Sequence, residues 1–444
     1  MALPFLPYGR QQIDETDVAA VAEVLRGDWL TTGPKVDALE RALAERLQAA
    51  HAVVCSSGTS ALHLACLAAG LGPGDTAIVP SMTFLATANA VRMTGAEVVF
   101  ADVASATGLM EPSHLTEAWS RVEATGRRVK AILIVDLAGQ CPDLETIAAV
   151  ARGRDAIIIE DACHALGSLY RDRRGTSRAI GSGRLSHMTV FSFHPVKAVA
   201  AGEGGAVTTN DAGLAQRMRD LRSHGMTRDP TRFAQAELAF DAEGLANPWY
   251  YEMAEIGWNY RLSDIHAALA LSQLARLDDF VAARRHLVDL YDAQLVPLRN
   301  VLAPIPHKQG CTAAWHLYPV LIDFPRIGLD RAAVMAQLRD AGIGTMVHYI
   351  PVHQQPYYRE RYGSLVLPGA EAYYARTLSL PLFVGMTESD ITRVVTALTA
   401  VIDSTARTPR SVTRLRGSSV NTRPPAMDHV AYSAPSKVMK VGMK

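Results

Sequence analysis

Four short stretches carry residue types that could do chemistry together. Lys197 closes Phe191-Ser192-Phe193-His194-Pro195-Val196-Lys197, just ahead of Ala201-Gly202-Glu203-Gly204-Gly205. A lysine past an apolar strand and among glycines is placed to condense with a carbonyl ligand, its amine activated by a lowered pKa. The plainer alternative is a surface lysine, as most lysines are. Ile157-Ile158-Ile159-Glu160-Asp161 is an apolar run ending in two acids. A buried carboxylate there needs a cationic or hydrogen-bonding partner, unless both acids face solvent in a loop. Ser56-Ser57-Gly58-Thr59-Ser60 combines small residues and hydroxyls ahead of an apolar helix. That combination suits an anion at a helix N-terminus, or an ordinary helix cap. Pro80-Ser81-Met82-Thr83-Phe84 offers Phe84 as a ring to stack on a flat ligand, with core packing as the other reading.

The segments that must position these residues alternate in type. His51–Cys55, Thr76–Val79, Val98–Phe100, Ala131–Asp136, Ala156–Glu160, Thr189–Ser192 and Ala206–Thr209 read as seven buried strands. Helix-length segments such as Ser60–Ala69 and Leu144–Arg152 lie between most of them. Helices are also predicted over Glu15–Arg26 and near Val36–Ala49. Such alternation predicts an α/β fold with a mostly parallel seven-stranded sheet covered on both faces. In such sheets ligands sit at the carboxyl ends of the strands, where all four stretches fall. A long helical pattern from Leu262 to Leu295 leads to a smaller α+β part, with strands at Leu317–Ile322 and Thr345–Tyr349. Helices are predicted there over Asp330–Ala341 and Thr387–Ile402. The expected organisation is a large α/β domain over 1–260, a linking helix and small C-terminal domain over 261–405, and a basic, disordered tail over 406–444.

Composition narrows the class. Forty-four basic residues balance forty-four acidic ones, so the net charge gives no support to nucleic-acid or membrane-surface binding. The five cysteines are scattered and lack C-x-x-C spacing, which disfavours a zinc knuckle, another metal site or a redox pair, and fits a reducing, cytoplasmic compartment. The sequence shows neither a secretory leader pattern nor an apolar run long enough for a membrane helix.

Taken together, a lysine, a buried acid, a phosphate-type cradle and an aromatic platform suit one ligand, pyridoxal 5'-phosphate (PLP). The segments SSGTSALHLA, PSMTFLATANAV, EDACHALGS, FSFHPVKAVAAGEGG and GWNYRLSDIHAALALSQL resemble, in order and separation, the DegT/StrS family of fold-type-I PLP sugar aminotransferases. The resemblance spans roughly residues 5 to 400. It implies that Lys197 binds PLP and moves protons, and that Asp161 pairs with the pyridinium nitrogen. His164, where many relatives carry Gln, would contact the ring or its hydroxyl, and Phe84 would stack on the ring face. Thr59, Ser60 and Ser192 would bind the phosphate, and Asn259 would reach the phosphate of a neighbouring subunit, so a homodimer with a shared site is implied. The implied reaction moves an amino group, from glutamate by family analogy, to C4 of a nucleotide-linked 4-keto-6-deoxy sugar. Within the family, the segments around Trp29, His164, His224 and His348 are similar to the branch serving pseudaminic acid biosynthesis. Trp29, His224 and His348 are then substrate contacts, with structural histidines as the other reading of the last two. The alternatives are a sibling sugar aminotransferase of perosamine or bacillosamine type, or a non-catalytic sensor on the same fold.

Overall fold

The computed structural model describes residues 4–406, and the expected tail lies outside the described residues from 407 onward. All seven expected strands form one sheet: β1 (His51–Cys55), β2 (Thr76–Pro80), β3 (Glu97–Ala101), β4 (Val129–Val135), β5 (Ile157–Asp161), β6 (Met188–Ser192) and β7 (Gly205–Thr209). Their order is β1-β7-β6-β5-β4-β2-β3. Pairings between β6, β5, β4, β2 and β3 are parallel, and β7 runs antiparallel to both neighbours. The Val/Ile-rich runs of β2, β4 and β5 are buried almost throughout, as strands covered on both faces require.

The helices start where side chains can absorb their free amides. Helix α1 (Glu15–Arg26) is capped by Asp14, which accepts from the Thr16 and Asp17 amides, while Asp17 accepts from the Asp14 amide. Helix α2 (Pro34–Leu47) begins with proline, whose missing N–H costs nothing there. Helix α3 (Gly58–Ala68) follows β1 directly and is apolar nearly all round, as befits a helix in the interior. Helices α4 (Leu85–Met93), α5 (Pro112–Glu123), α6 (Leu144–Arg152) and α7 (Ala212–Arg222) complete the crossovers and flanks.

The long helical pattern after Leu262 is two helices, α8 (Asp264–Ala275) and α9 (Leu277–Gln294). The break is at Arg276, which ends one helix, starts the next and pairs with Asp14 and Asp17. Beyond it, β8 (Leu302–Pro304), β9 (Tyr318–Ile322) and β10 (Thr377–Leu380) form an antiparallel sheet with β9 in the middle. Helices α10 (Arg331–Asp340) and α11 (Glu388–Ala406) belong to this part of the chain. The strand expected at Thr345–Tyr349 does not form; Met346 makes a single bridge to Ser379. Met346, Val347, His348 and Tyr349 all line one cavity. Four successive residues cannot face one way from a strand, whose side chains alternate.

Candidate active site

Register in the main sheet converges the first three stretches. Cys55 pairs with Gly205, and Gly205 pairs with Ser192, so the ends of β1 and β6 meet across the start of β7. The approach leaves no room for side chains: a Cβ on Gly205 would stand 2.5 Å from the Ser57 carbonyl oxygen, and one on Gly58 would stand 2.8 Å from the Ser192 Cβ. Asp161, at the end of β5, pairs with Val190 two residues before Ser192. After β6 the Lys197 amide donates to the His194 carbonyl at 2.8 Å, a turn that returns Lys197 toward the strand ends.

A cavity of about 450 Å³ opens at this convergence. Lys197, Asp161, Thr59, Ser192, Phe84, His164 and His348 all line it, together with Ser57 and Gly58. Among the described residues lining it, Lys197 is the one lysine and no arginine is present. Burial holds the Lys197 amine below its ordinary value, opposed by the nearby Cys163 and Asp161.

The two acids of β5 part ways, as strand alternation requires. Asp161 faces the cavity; its Oδ2 accepts from the Thr87 hydroxyl at 2.7 Å and its Oδ1 from the Cys163 amide at 3.2 Å. Thr83 and Thr87 hydroxyls lie 2.6 Å apart. Since Thr87 donates to the carboxylate, Thr83 donates to Thr87, and a buried hydroxyl chain ends on Asp161. Glu160 is buried away from the cavity lining, accepting from Ser186 at 2.8 Å and Thr189 at 2.9 Å. Burial pushes its carboxyl up, and burial together with the Glu160 charge pushes that of neighbouring Asp136 up.

At the N-terminus of α3, Ser57 and Ser60 cap reciprocally: Ser60 N–H donates to Ser57 Oγ at 3.1 Å, and Ser57 N–H to Ser60 Oγ at 2.8 Å. Ser60 is therefore committed to the cap and stands outside the cavity lining, whereas Thr59 is exposed into it.

The opposite wall comes from distant chain segments. His164 Nδ1 accepts from the Ala138 amide at 3.3 Å, so its proton resides on Nε2, which donates to the Tyr349 hydroxyl 3.0 Å away. The Tyr349 proton is then free to point into the cavity. His316 packs on His164 with ring centroids 4.3 Å apart, and His348 contacts Ser379 through Nδ1 at 2.9 Å. Burial and the Lys197 charge hold all three imidazoles below their ordinary value, His348 down to about 3. Burial pushes the Tyr349 phenol up, so the wall is neutral at physiological pH. The Phe84 ring, exposed into the cavity, stands 5.9 Å from that of Tyr349.

Trp29, His224 and Asn259 are not part of this lining and lie exposed. Sequence reasoning missed Tyr8, His316 and Tyr349 as lining residues. Tyr349 sat in a segment noted for His348, but Tyr8 and His316 carry no local signal.

Comparison with known proteins adds to this geometry. A family model described as the DegT/DnrJ/EryC1/StrS aminotransferase family matches residues 11–399. The chain is similar to Helicobacter pylori PseC, an aminotransferase involved in pseudaminic acid biosynthesis, at 28% identity and a TM-score of 0.79, covering 90% of this chain and 100% of that one. It is similar to S. venezuelae DesV, solved with a ketimine intermediate, at 31% identity and a TM-score of 0.76, covering 91% and 100%. The PLP form of Streptococcus pneumoniae Spr1654 matches at 26% identity and a TM-score of 0.77, covering 90% and 99%.

Proposed function

Because the chain belongs to the DegT/DnrJ/EryC1/StrS family of PLP-dependent sugar aminotransferases, we propose that it aminates C4 of a nucleotide-linked 4-keto-6-deoxy sugar. The substrate of this reading is UDP-2-acetamido-2,6-dideoxy-β-L-arabino-hex-4-ulose, and the amino donor is glutamate. The observation that carries it is Lys197 and Asp161 facing one cavity beside the α3 N-terminus. Similarity to PseC supports the pseudaminic acid branch.

The donor set fits PLP. Asp161, already oriented by Thr87 and the Cys163 amide, would pair with the ring nitrogen. Thr59, Ser192 and the amides opening α3 would hold the phosphate, in a cradle that a Cβ at Gly58 would fill. Ser60 would act indirectly, by fixing that helix end. Phe84 would cover one ring face, and His164 would lie toward the ring hydroxyl. When bound, PLP supplies an electron sink for the carbon that loses a proton. Lys197, with its depressed pKa, takes a proton from the donor Cα in one half-reaction and delivers one to the sugar C4 in the other. Tyr349, its hydroxyl fixed by His164, would donate a hydrogen bond to a substrate oxygen, and the neutral His348 beside it would help to exclude water.

Trp29, His224 and Asn259 enter this reading through a second copy of the chain. Asn259 would reach the phosphate held by its partner, in a homodimer with shared sites. Exposed Trp249 and Ile256, in the segment leading to Asn259, support such an interface. Five free cysteines support a reducing, cytoplasmic setting. Among the described residues no helix is long and apolar enough to cross a membrane.

The test is a panel of UDP-, GDP- and dTDP-linked 4-keto-6-deoxy sugars with PLP and glutamate, read by mass spectrometry. Selective amination of the UDP-linked L-arabino compound is expected. Preference for another nucleotide sugar would move the chain to a sibling branch, and no amination at all would overturn the reading.

A further inference from the structure

Two thiols far apart in sequence meet outside the cavity. The Cys141 amide donates to Cys311 Sγ at 3.3 Å, which seats that sulfur against the Cys141 backbone, and the Gly139 carbonyl lies 4.0 Å from it. Cys141 follows the turn after β4, and Cys311 lies in a short strand paired with Leu169–Tyr170. Gln140 keeps the two segments together: its Nε2 donates to the Pro306 carbonyl at 3.2 Å, and the Lys308 amide donates to its Oε1 at 2.5 Å. Cys141 is buried, while Cys311 is half-buried and lines a separate cavity of about 210 Å³ with Arg285, His307 and Trp315. One thiol is therefore open to a small molecule and the other waits directly behind it.

We propose that Cys141 and Cys311 form an oxidation site for hydroperoxides, which convert the pair reversibly to a disulfide. Cys311 sulfur attacks the O–O bond, which breaks; one oxygen leaves as water or alcohol and the other stays on sulfur as sulfenic acid. Cys141 sulfur then attacks Cys311 sulfur, the S–O bond breaks, and that oxygen leaves as water with the Cys141 proton. Two thiols lose two electrons and the peroxide gains them. The division of labour suits the environments. Its hydrogen bond with Cys141 and the nearby Arg285 cation hold the Cys311 thiol below its ordinary value. The same hydrogen bond together with burial pushes the Cys141 thiol up, leaving it the resolving partner.

The bridge would act on the active site through few atoms. Gly139, two residues before Cys141, accepts from Ser168 Oγ at 2.8 Å, and Ser168 Oγ accepts from the Ala314 amide at 2.9 Å. Adjacent Ala138 gives its amide to His164 and its carbonyl to the His316 amide. Tightening the turn against the Cys311 strand therefore displaces the two imidazoles of the cavity wall.

The test treats the full-length, PLP-loaded protein with hydrogen peroxide, blocks remaining thiols and maps peptides by mass spectrometry. The expected product is a Cys141–Cys311 cross-linked peptide that dithiothreitol reverses, accompanied by a shift in the absorption of the bound cofactor. Cys311→Ser should give neither the bridge nor the shift. Cys141→Ser should stop at a sulfenic acid on Cys311, trapped by dimedone. Oxidation of Cys311 past the sulfenic state in the unsubstituted protein, with Cys141 left free, overturns the site. A spectral shift retained in Cys311→Ser overturns the link to the wall, because another thiol such as Cys163 would then be responsible. The peptide map does not depend on any amination, so it stands apart from the fate of the proposed reaction.

Discussion

The strand-end floor of the cavity and the face carrying Trp29, His224 and Asn259 solve opposite problems. On the floor, Asp161, Thr87, Thr83 and Ser57 are tied into hydrogen bonds before any ligand arrives, and the glycines at 58 and 205 let backbones close in. The other face leaves aromatic and aliphatic surface in water: Trp29 is 58% exposed, Trp249 71% and Ile256 76%. A buried floor that is already satisfied pays no ordering cost when a cofactor binds. A face with exposed large side chains gains stability only by meeting another surface. Under the proposed shared site, the floor comes from one chain, and Asn259 would complete the phosphate contacts from a second.

The floor is where substitution should cost most. Lys197→Ala should lower turnover by about 10⁴-fold, the upper end for an acid–base group, and remove the visible absorbance of the lysine-bound cofactor. Steady-state rates and a spectrum decide it; a variant with full activity would remove Lys197 from the chemistry. The face is tested by mixing. Asn259→Ala should be slowed about tenfold or more, in the range for losing a hydrogen bond to a charged group. If sites are shared, refolding it together with Lys197→Ala creates mixed dimers in which one site has both residues, so the mixture should exceed the sum of the separate variants. Strictly additive rates would mean that each chain works alone and that the exposed face has another purpose. Thr87→Val probes the floor more gently. It leaves an Asp161 oxygen without its donor, so PLP affinity should fall about tenfold to hundredfold in a cofactor titration, with the fold unchanged. An unchanged affinity would show that Asp161 does not depend on the hydroxyl chain.

The two regions also differ in how far the sequence reveals them. All seven strands of the main sheet are legible because each is a short, largely apolar or β-branched run, and helix-length segments separate most of them. Lys197, Asp161 and Thr59 are legible for the same reason, since each sits within a few residues of a strand end. Ser60 shows the limit: a hydroxyl at a helix start reads alike as ligand or cap, and the geometry makes it a cap. The wall is far less visible. Tyr8 and His316 join it through tertiary packing more than a hundred residues from Lys197, and no periodicity marks them. The Thr345–Tyr349 segment misleads because its apolar composition is that of a strand, whereas its backbone turns successive side chains into one cavity. The missed break at Arg276 has a similar origin, for the helical pattern on both sides is continuous in sequence and only the ion pairs to Asp14 and Asp17 mark the joint.

The smallest effect sharpens the comparison from the wall side, through its buried histidines. The His348 imidazole is held down to about 3 by burial and by Lys197, against an ordinary value of about 6.5 in the unfolded chain. Between those values the unfolded state binds the additional proton. His348 therefore penalises folding progressively as pH falls below 6.5, and imposes no penalty above it. His164 and His316 act in the same direction, whereas Asp136 and Glu160, pushed up by burial, act in the opposite one. A single pH profile would mix these contributions, but a difference between variants isolates one. His348→Asn should lose about 1–2 kcal/mol less stability than the unsubstituted chain between pH 7 and pH 5, read by urea unfolding of the cofactor-free protein. Parallel losses would mean that His348 takes up its proton in the folded state, which requires water to reach the wall and makes it as open as the face that carries Asn259.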